Sequence, residues 1–169
     1  MAYRKFGGDF EADRQFVEDT LKAANHGMIP ASRFVFAERL GVSAEAFMDE
    51  LNNGAGNDQE LLDYIVELRK TYKTGLLTNA SKGRMLEILG QAELDRCFDA
   101  VAESGSMGYA KPEPEAYEII ADRLGIRLEN CLFTDDQPGY CEGARSVGMQ
   151  AIVYRSFEQF KRDLAQVLQ

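Results

Sequence analysis

Cysteine, proline, histidine, basic charge and long apolar runs are all scarce in this sequence, and each scarcity excludes something. Three cysteines (Cys97, Cys131 and Cys141) form an odd, sparse set without metal-ligand spacing. They read as reduced thiols of a cytoplasmic protein, two of them in the core, and not as a disulfide framework. Only four prolines occur, and no Pro/Ser linker, internal repeat or low-complexity stretch breaks the chain. No apolar run approaches the roughly 20 residues of a membrane span. The opening "MAYRKFGGDFEADR" has no signal-peptide apolar core. Lys and Arg number 19 against 28 Asp and Glu, a net charge of -9. That balance disfavours nucleic acid or an anionic membrane as partner. It leaves room for a small phosphorylated ligand, because a few local donors outweigh a distant, screened field.

What is present is a 169-residue chain of 45% hydrophobic and 28% charged residues, enough for one ordinary core. The first seventy residues read as helix. "EADRQFVEDTLKAANHG" ends at Gly27, with the lone His26 in its last turn, where a histidine more often complements the helix dipole than performs catalysis. "IPASRFVFAERLG" places Pro30 in a first turn and Gly41 as a stop, and Ser43 is the N-cap expected for "SAEAFMDELNN". In "NDQELLDYIVELRKTY", Asn57 and Glu60 have capping-box spacing and Leu61, Leu62, Ile65 and Leu68 share a face. Phe34, Phe36, Phe47 and Met48 either pack inside this helical part or form a docking face; burial preference favours packing.

After residue 72 the pattern alternates. "KTGLLT", "FDAVAES", "NCLFTD" and "MQAIVY" read as strands separated by helices, which implies an α/β fold with a parallel sheet covered on both faces. The expected organisation is a helical cap-like region over 1–72 and an α/β core over 73–169. Ligands of such sheets bind beyond the C-terminal strand ends. There the sequence puts Thr78 and Asn79, with a helix start behind them whose free N–H groups suit an oxyanion. Lys111 falls in a loop, with Pro112 limiting its backbone. Asp135 and Asp136 end a third strand. Alone, the Thr-Asn reads as a turn, the Lys-Pro as solvated loop, and the Asp-Asp equally as turn or as site for a hard divalent cation. Together, in this order, they read as a phosphate site.

These stretches resemble the haloacid dehalogenase superfamily, mostly magnesium-dependent phosphatases, over about residues 27 to 169. "GLLTNAS" is similar to its second motif, "YAKPEPEAY" to its third and "LFTDDQPGYCEGARSVGMQAIVY" to its fourth; "GMIPASRFVFAERLGVSAEAF" resembles the small helical cap of its sugar-phosphate phosphatases. The resemblance implies a Rossmannoid fold in which Thr78 holds the phosphoryl group and Asn79 lines the pocket. It also implies that Lys111 pairs with nucleophile and phosphate, and that Asp135 with Asp136 holds Mg²⁺. Tyr140 and Cys141 stand where relatives often have Asn-Val, a departure from the family's pattern.

The family's first motif is a central strand ending in Asp-x-Asp, whose first acid is the nucleophile and whose second is the acid/base. No two aspartates here are separated by a single intervening residue. The nearest approach, "KFGGDFE", would put Gly7 at the nucleophile position and Asp9 at the acid/base position; the alternative assigns residues 9–27 to the cap's leading helices. Without a carboxylate the covalent route cannot operate, and Mg²⁺ held by two acids alone is weakly bound. Three readings stay open: a truncated phosphatase, a natural pseudo-enzyme that binds a phosphate ligand or a protein, or an enzyme with another nucleophile or a strand from another chain. A missing central strand also requires compensation. Residues 1–6 inserted as a strand, a segment from a homodimer or another partner, or direct pairing of "KTGLLT" with "NCLFTD" would supply it.

Overall fold

The computed structural model describes residues 2–52 and 58–168. Four helices come first: α1 (Ala2–Lys5), α2 (Arg14–Asn25), α3 (Ser32–Leu40) and α4 (Ala44–Asn52). Their apolar faces meet in one cluster in which Tyr3, Val17, Phe36, Ala37 and Phe47 are buried. Tyr3 meets Phe36 edge to face with centroids 5.3 Å apart, the arrangement their quadrupoles favour. Gly41 ends α3 at φ +66°, a left-handed backbone that glycine adopts without steric cost. Ser43 Oγ accepts the Ala46 N–H at 3.1 Å, as its capping role requires. Pro30, expected in a first turn, instead precedes α3, because Ala31 at its N-cap is extended.

A fifth helix, α5 (Gln59–Arg69), is capped by Asp58, whose carboxylate accepts the Leu61 N–H at 3.0 Å. The expected cap Asn57 lies outside the described residues. By packing, α5 goes with the α/β half: its Leu61, Tyr64 and Leu68 lie against Ile152, Phe160 and Leu164.

The α/β half runs β1 (Gly75–Thr78), α6 (Arg84–Leu89), α7 (Gln91–Cys97), β2 (Ala100–Glu103), α8 (Ser104–Met107) and α9 (Pro114–Leu124). After a single 3-10 turn come β3 (Leu132–Asp135), α10 (Pro138–Ser146), β4 (Gln150–Val153) and α11 (Phe157–Val167). β1 pairs in parallel with β2, Leu77 opposite Ala102. β3 pairs in parallel with β4, Phe133 opposite Ala151. The strands are parallel, as the alternation of elements requires.

The two pairs are separate two-stranded sheets. Helices hold them in one body instead. Leu77 and Ala102 from the first pair share a core with Tyr117, Ile120 and Ala121 of α9 and Ala144 of α10, against which Phe133 and Ala151 of the second pair rest. Two of the expected compensations are thereby overturned. β1 does not pair with β3, and residues 2–5 are helix α1, not an inserted strand. The reason for the second is burial: Ala2 and Tyr3 are sequestered in the aromatic cluster of the helical half, which a place in the sheet would forfeit.

Phe47 is 2% exposed and Phe34 48% exposed. Phe47→Ala is expected to cost about 3–5 kcal/mol in urea unfolding, and Phe34→Ala about 0.5 kcal/mol or less. Equal losses would contradict this division between core and surface.

Candidate functional site

Three connections meet where β1 and β3 end, and the Lys111 side chain joins them. It is only 8% exposed, and its Nζ donates to the Asp135 Oδ2 at 2.6 Å and to the Leu77 carbonyl at 3.1 Å. A buried ammonium needs such partners, because desolvation otherwise drives it to neutrality. The rings of Tyr140 and Phe133 flank it, centroids 5.0 and 5.6 Å from Nζ, a further favourable contact for a cation. Asn79 fixes the backbone behind the charge. Its Oδ1 accepts the Lys111 N–H at 2.8 Å and its Nδ2 donates to the Lys111 carbonyl at 2.9 Å. The Asn79 amide is thus committed to positioning Lys111.

Helix α10 closes on this loop from below. The Tyr117 hydroxyl donates to the Tyr140 carbonyl at 2.7 Å; burial, followed by the Asp135 charge, pushes the Tyr117 hydroxyl well above its usual range. A Cβ on Gly143 would come 2.7 Å from the Tyr117 hydroxyl oxygen and 2.9 Å from the Pro112 carbonyl oxygen. Only glycine lets α10 approach so near.

Asp135 and Asp136 are adjacent but differently engaged. Besides Lys111, Asp135 accepts the Gln137 N–H on Oδ1 at 2.9 Å, so both its oxygens have donors. Asp136 is exposed. Among the described residues, no group of three His, Cys, Asp or Glu side chains is placed to hold a metal ion. The donors are the hard oxygens that Mg²⁺ takes, yet two carboxylates, one already paired, do not complete its octahedral shell.

The loop after β1 departs from expectation. The helix expected from Ser81 begins at Arg84 and has six residues. Its first N–H groups are not free for an external oxyanion, because Glu103, buried at the end of β2, accepts the Gly83 N–H at 2.6 Å and the Met85 N–H at 2.7 Å. A carboxylate built into the fold answers the helix terminus. Thr78, the half-buried last residue of β1, does lie beside Asn79 at this end of the sheet.

The structure thus brings Thr78, Asn79, Lys111 and Asp135 together at the strand ends, with Asp136 at the rim. It places the alternative nucleophile candidates elsewhere. Gly7 and Asp9 lie in the helical half, where Asp9 accepts the Glu11 N–H at 2.9 Å in a local turn. Glu103, Tyr140 and Glu113 of the site's surroundings were not singled out as functional by sequence. A buried acid after a strand and a tyrosine in place of Asn were the only signals available.

A sequence profile described as hydrolase, haloacid dehalogenase-like hydrolase, matches residues 58–148. A phosphatase of Mycobacterium tuberculosis is 44% identical over 84 residues, 49% of this chain and 39% of that protein. A phosphorylated carbohydrates phosphatase of Thermotoga maritima is 26% identical over 117 residues, 69% of this chain and 53% of that protein. The chain spans about half or less of the length of these curated relatives. In solved structures, a HAD family enzyme of Bacteroides thetaiotaomicron superposes with a TM-score of 0.81 at 22% identity, covering 96% of this chain and 87% of that one. The same enzyme has been solved with magnesium and inorganic phosphate, where the TM-score is 0.73.

Two substitutions test the site's supports. Gly143→Ala gains about 1 kcal/mol of helix propensity but forces α10 off Tyr117 and Pro112, so a net loss of about 1–2 kcal/mol is expected by urea unfolding. Glu103→Ala strips acceptors from two N–H groups and should cost about 1–3 kcal/mol. A neutral or stabilised variant in either case contradicts the packing described.

Proposed function

The chain belongs to the haloacid dehalogenase-like hydrolases, and we propose that it carries the phosphate-binding side of a phosphatase site without the group that attacks phosphorus. One observation carries this reading: a single buried ammonium, Lys111, held between the ends of β1 and β3 by Leu77 and Asp135. A fixed, desolvated cation at the C-terminal edge of a parallel sheet is suited to a phosphoryl oxygen. Thr78 adds a hydroxyl donor at the same edge. Asn79 acts here through Lys111, whose backbone it clamps. Asp136, with Asp135, would offer Mg²⁺ two oxygens, and a bound phosphate would have to supply more; its affinity without phosphate is low. The likeness to a phosphatase of phosphorylated carbohydrates supports a small phosphorylated carbohydrate as the ligand class.

Hydrolysis by the covalent route needs a carboxylate aimed at phosphorus, and no Asp-x-Asp pair occurs in the 169 residues. We therefore read the chain by itself as inactive, a pseudo-enzyme in effect. A second reading is favoured by the separation of β1 from β3: a strand from a second copy in a homodimer, or from another polypeptide, lies between them and brings an acid beside Lys111. Sedimentation velocity separates its two forms, since a strictly monomeric chain excludes the homodimer.

Inorganic phosphate should stabilise the fold by mass action, about 1.4 kcal/mol at ten times its dissociation constant. Thermal-shift titration with and without Mg²⁺ measures this. Lys111→Met, verified as folded by circular dichroism, should abolish the response, and Asp136→Asn should remove only the Mg²⁺-dependent part. An identical response in wild type and Lys111→Met would reduce the effect to nonspecific salt. With aryl and sugar phosphates plus Mg²⁺, no turnover is expected; turnover abolished by Asp135→Asn would overturn the reading of inactivity.

A further inference from the structure

The helical half touches the Lys111 loop beside the C-terminus of α2. Helix α2 is followed by Gly27, where φ is +69° and a Cβ would come 2.6 Å from the Gly105 carbonyl oxygen. Gly105 in turn donates its N–H to the Ala80 carbonyl at 2.9 Å, so the α2 terminus and the loop after β1 meet on α8. Beside this contact stands His26, the only histidine of the chain. Its Nδ1 lies 2.8 Å from the Lys22 carbonyl oxygen. Its Nε2 lies 2.9 and 3.1 Å from the two carboxylate oxygens of Glu113. Glu113 Oε2 also accepts the Ala110 N–H at 2.7 Å, and the Glu113 N–H returns to the Ala110 carbonyl at 2.8 Å. Ala110 is the residue before Lys111.

Each ring nitrogen of His26 therefore faces an oxygen that can only accept. A neutral imidazole has one N–H and would direct a lone pair at one of these oxygens; the imidazolium donates to both. We propose that His26 and Glu113 form a charged latch that docks the helical half on the α/β half and positions the Lys111 loop, closed while His26 carries both ring protons and Glu113 is ionised. The consequence for ligands rests on the reading of Lys111 as a phosphate ligand; the latch itself does not.

The electrostatics agree in direction. The bond to Glu113, then that to the Lys22 carbonyl, holds His26 above its ordinary 6.5 against the effect of burial. Burial pushes the Glu113 carboxyl up, but the Ala110 N–H and His26 outweigh it and leave the group below its ordinary 4.5. Charged groups facing the ring are Lys22 on its own helix and Glu113 just before α9; of the helices packed on α2, α8 has no ionisable side chain in Ser104–Met107, and α3 has Arg33 paired with Glu87 and Arg39 with Asp13. The His26 contribution is complete below 6.5 and is lost as pH rises through its raised value. The Glu113 contribution is complete above 4.5 and is lost as pH falls through its lowered one. Between those limits the latch is closed.

With one histidine, the ring C2–H signal of the tag-free protein reports His26 alone. Its NMR titration should have a midpoint above that of Glu113→Gln, and the Ala110 and Lys111 amide signals should move with the same midpoint in wild type and lose that step in the variant. Coincident midpoints overturn the latch; amides indifferent to His26 overturn its positioning role and leave an ordinary ion pair. Sulfate, which stays dianionic across this range, should bind about fivefold more weakly above the His26 midpoint than below it, with no step in Glu113→Gln. Wild type that binds no sulfate at any pH counts against the phosphate-site reading, while the NMR arm still decides the latch.

Discussion

A buried ammonium cannot be left alone, and much of this structure follows from satisfying Lys111. Its side chain crosses from the loop before α9 to the ends of two different strands, so Leu77, Asp135 and the loop must keep their places together. Losing one partner of a buried pair costs about 3–5 kcal/mol, a large share of a domain's net stability. The clamp by Asn79, the flanking rings of Tyr140 and Phe133, and the close approach of Gly143 all hold the same few ångströms of backbone. The ion pair substitutes for strand-to-strand hydrogen bonds as the tie between the two halves of the sheet layer.

The same economy of charge appears around it. In a chain of net charge -9, carboxylates serve as internal acceptors. Glu103 answers the start of α6 and Glu113 answers Ala110 and His26. Each turns a loop near the strand ends into a fixed object, which is the condition for a binding site that pre-organises its donors. The cost of burying Glu103 is met because its carboxylate accepts two N–H groups.

The sheet remains divided. Parallel strands are ordinarily interior, with both edges paired, yet among the described residues β1 and β3 belong to separate sheets. On the reading proposed above, an edge that holds Lys111 but has no Asp-x-Asp acid in the chain would hold an anion more readily than cleave its ester.

Much of the fold was legible in the residues because periodicity and punctuation are local properties. The switch at residue 72 from helices to alternating strands, the stops at Gly27 and Gly41, the Ser43 cap and the parallel class all follow from spacing. So does the gathering of Thr78, Asn79, Lys111 and Asp135, since strand C-terminal ends share one edge. Contacts between distant segments were not legible. Nothing near Glu103 announces that it will fill the helix terminus reserved in expectation for a ligand, and nothing near Tyr3 shows that burial among Phe10, Phe36 and their neighbours will keep it out of the sheet. His26 read as a helix-end histidine because its partner Glu113 lies 87 residues away. Sequence determined which elements form and which strand ends share one edge; tertiary structure alone decided which charges meet, because desolvation and pairing are set by whatever the fold brings within about 3 Å.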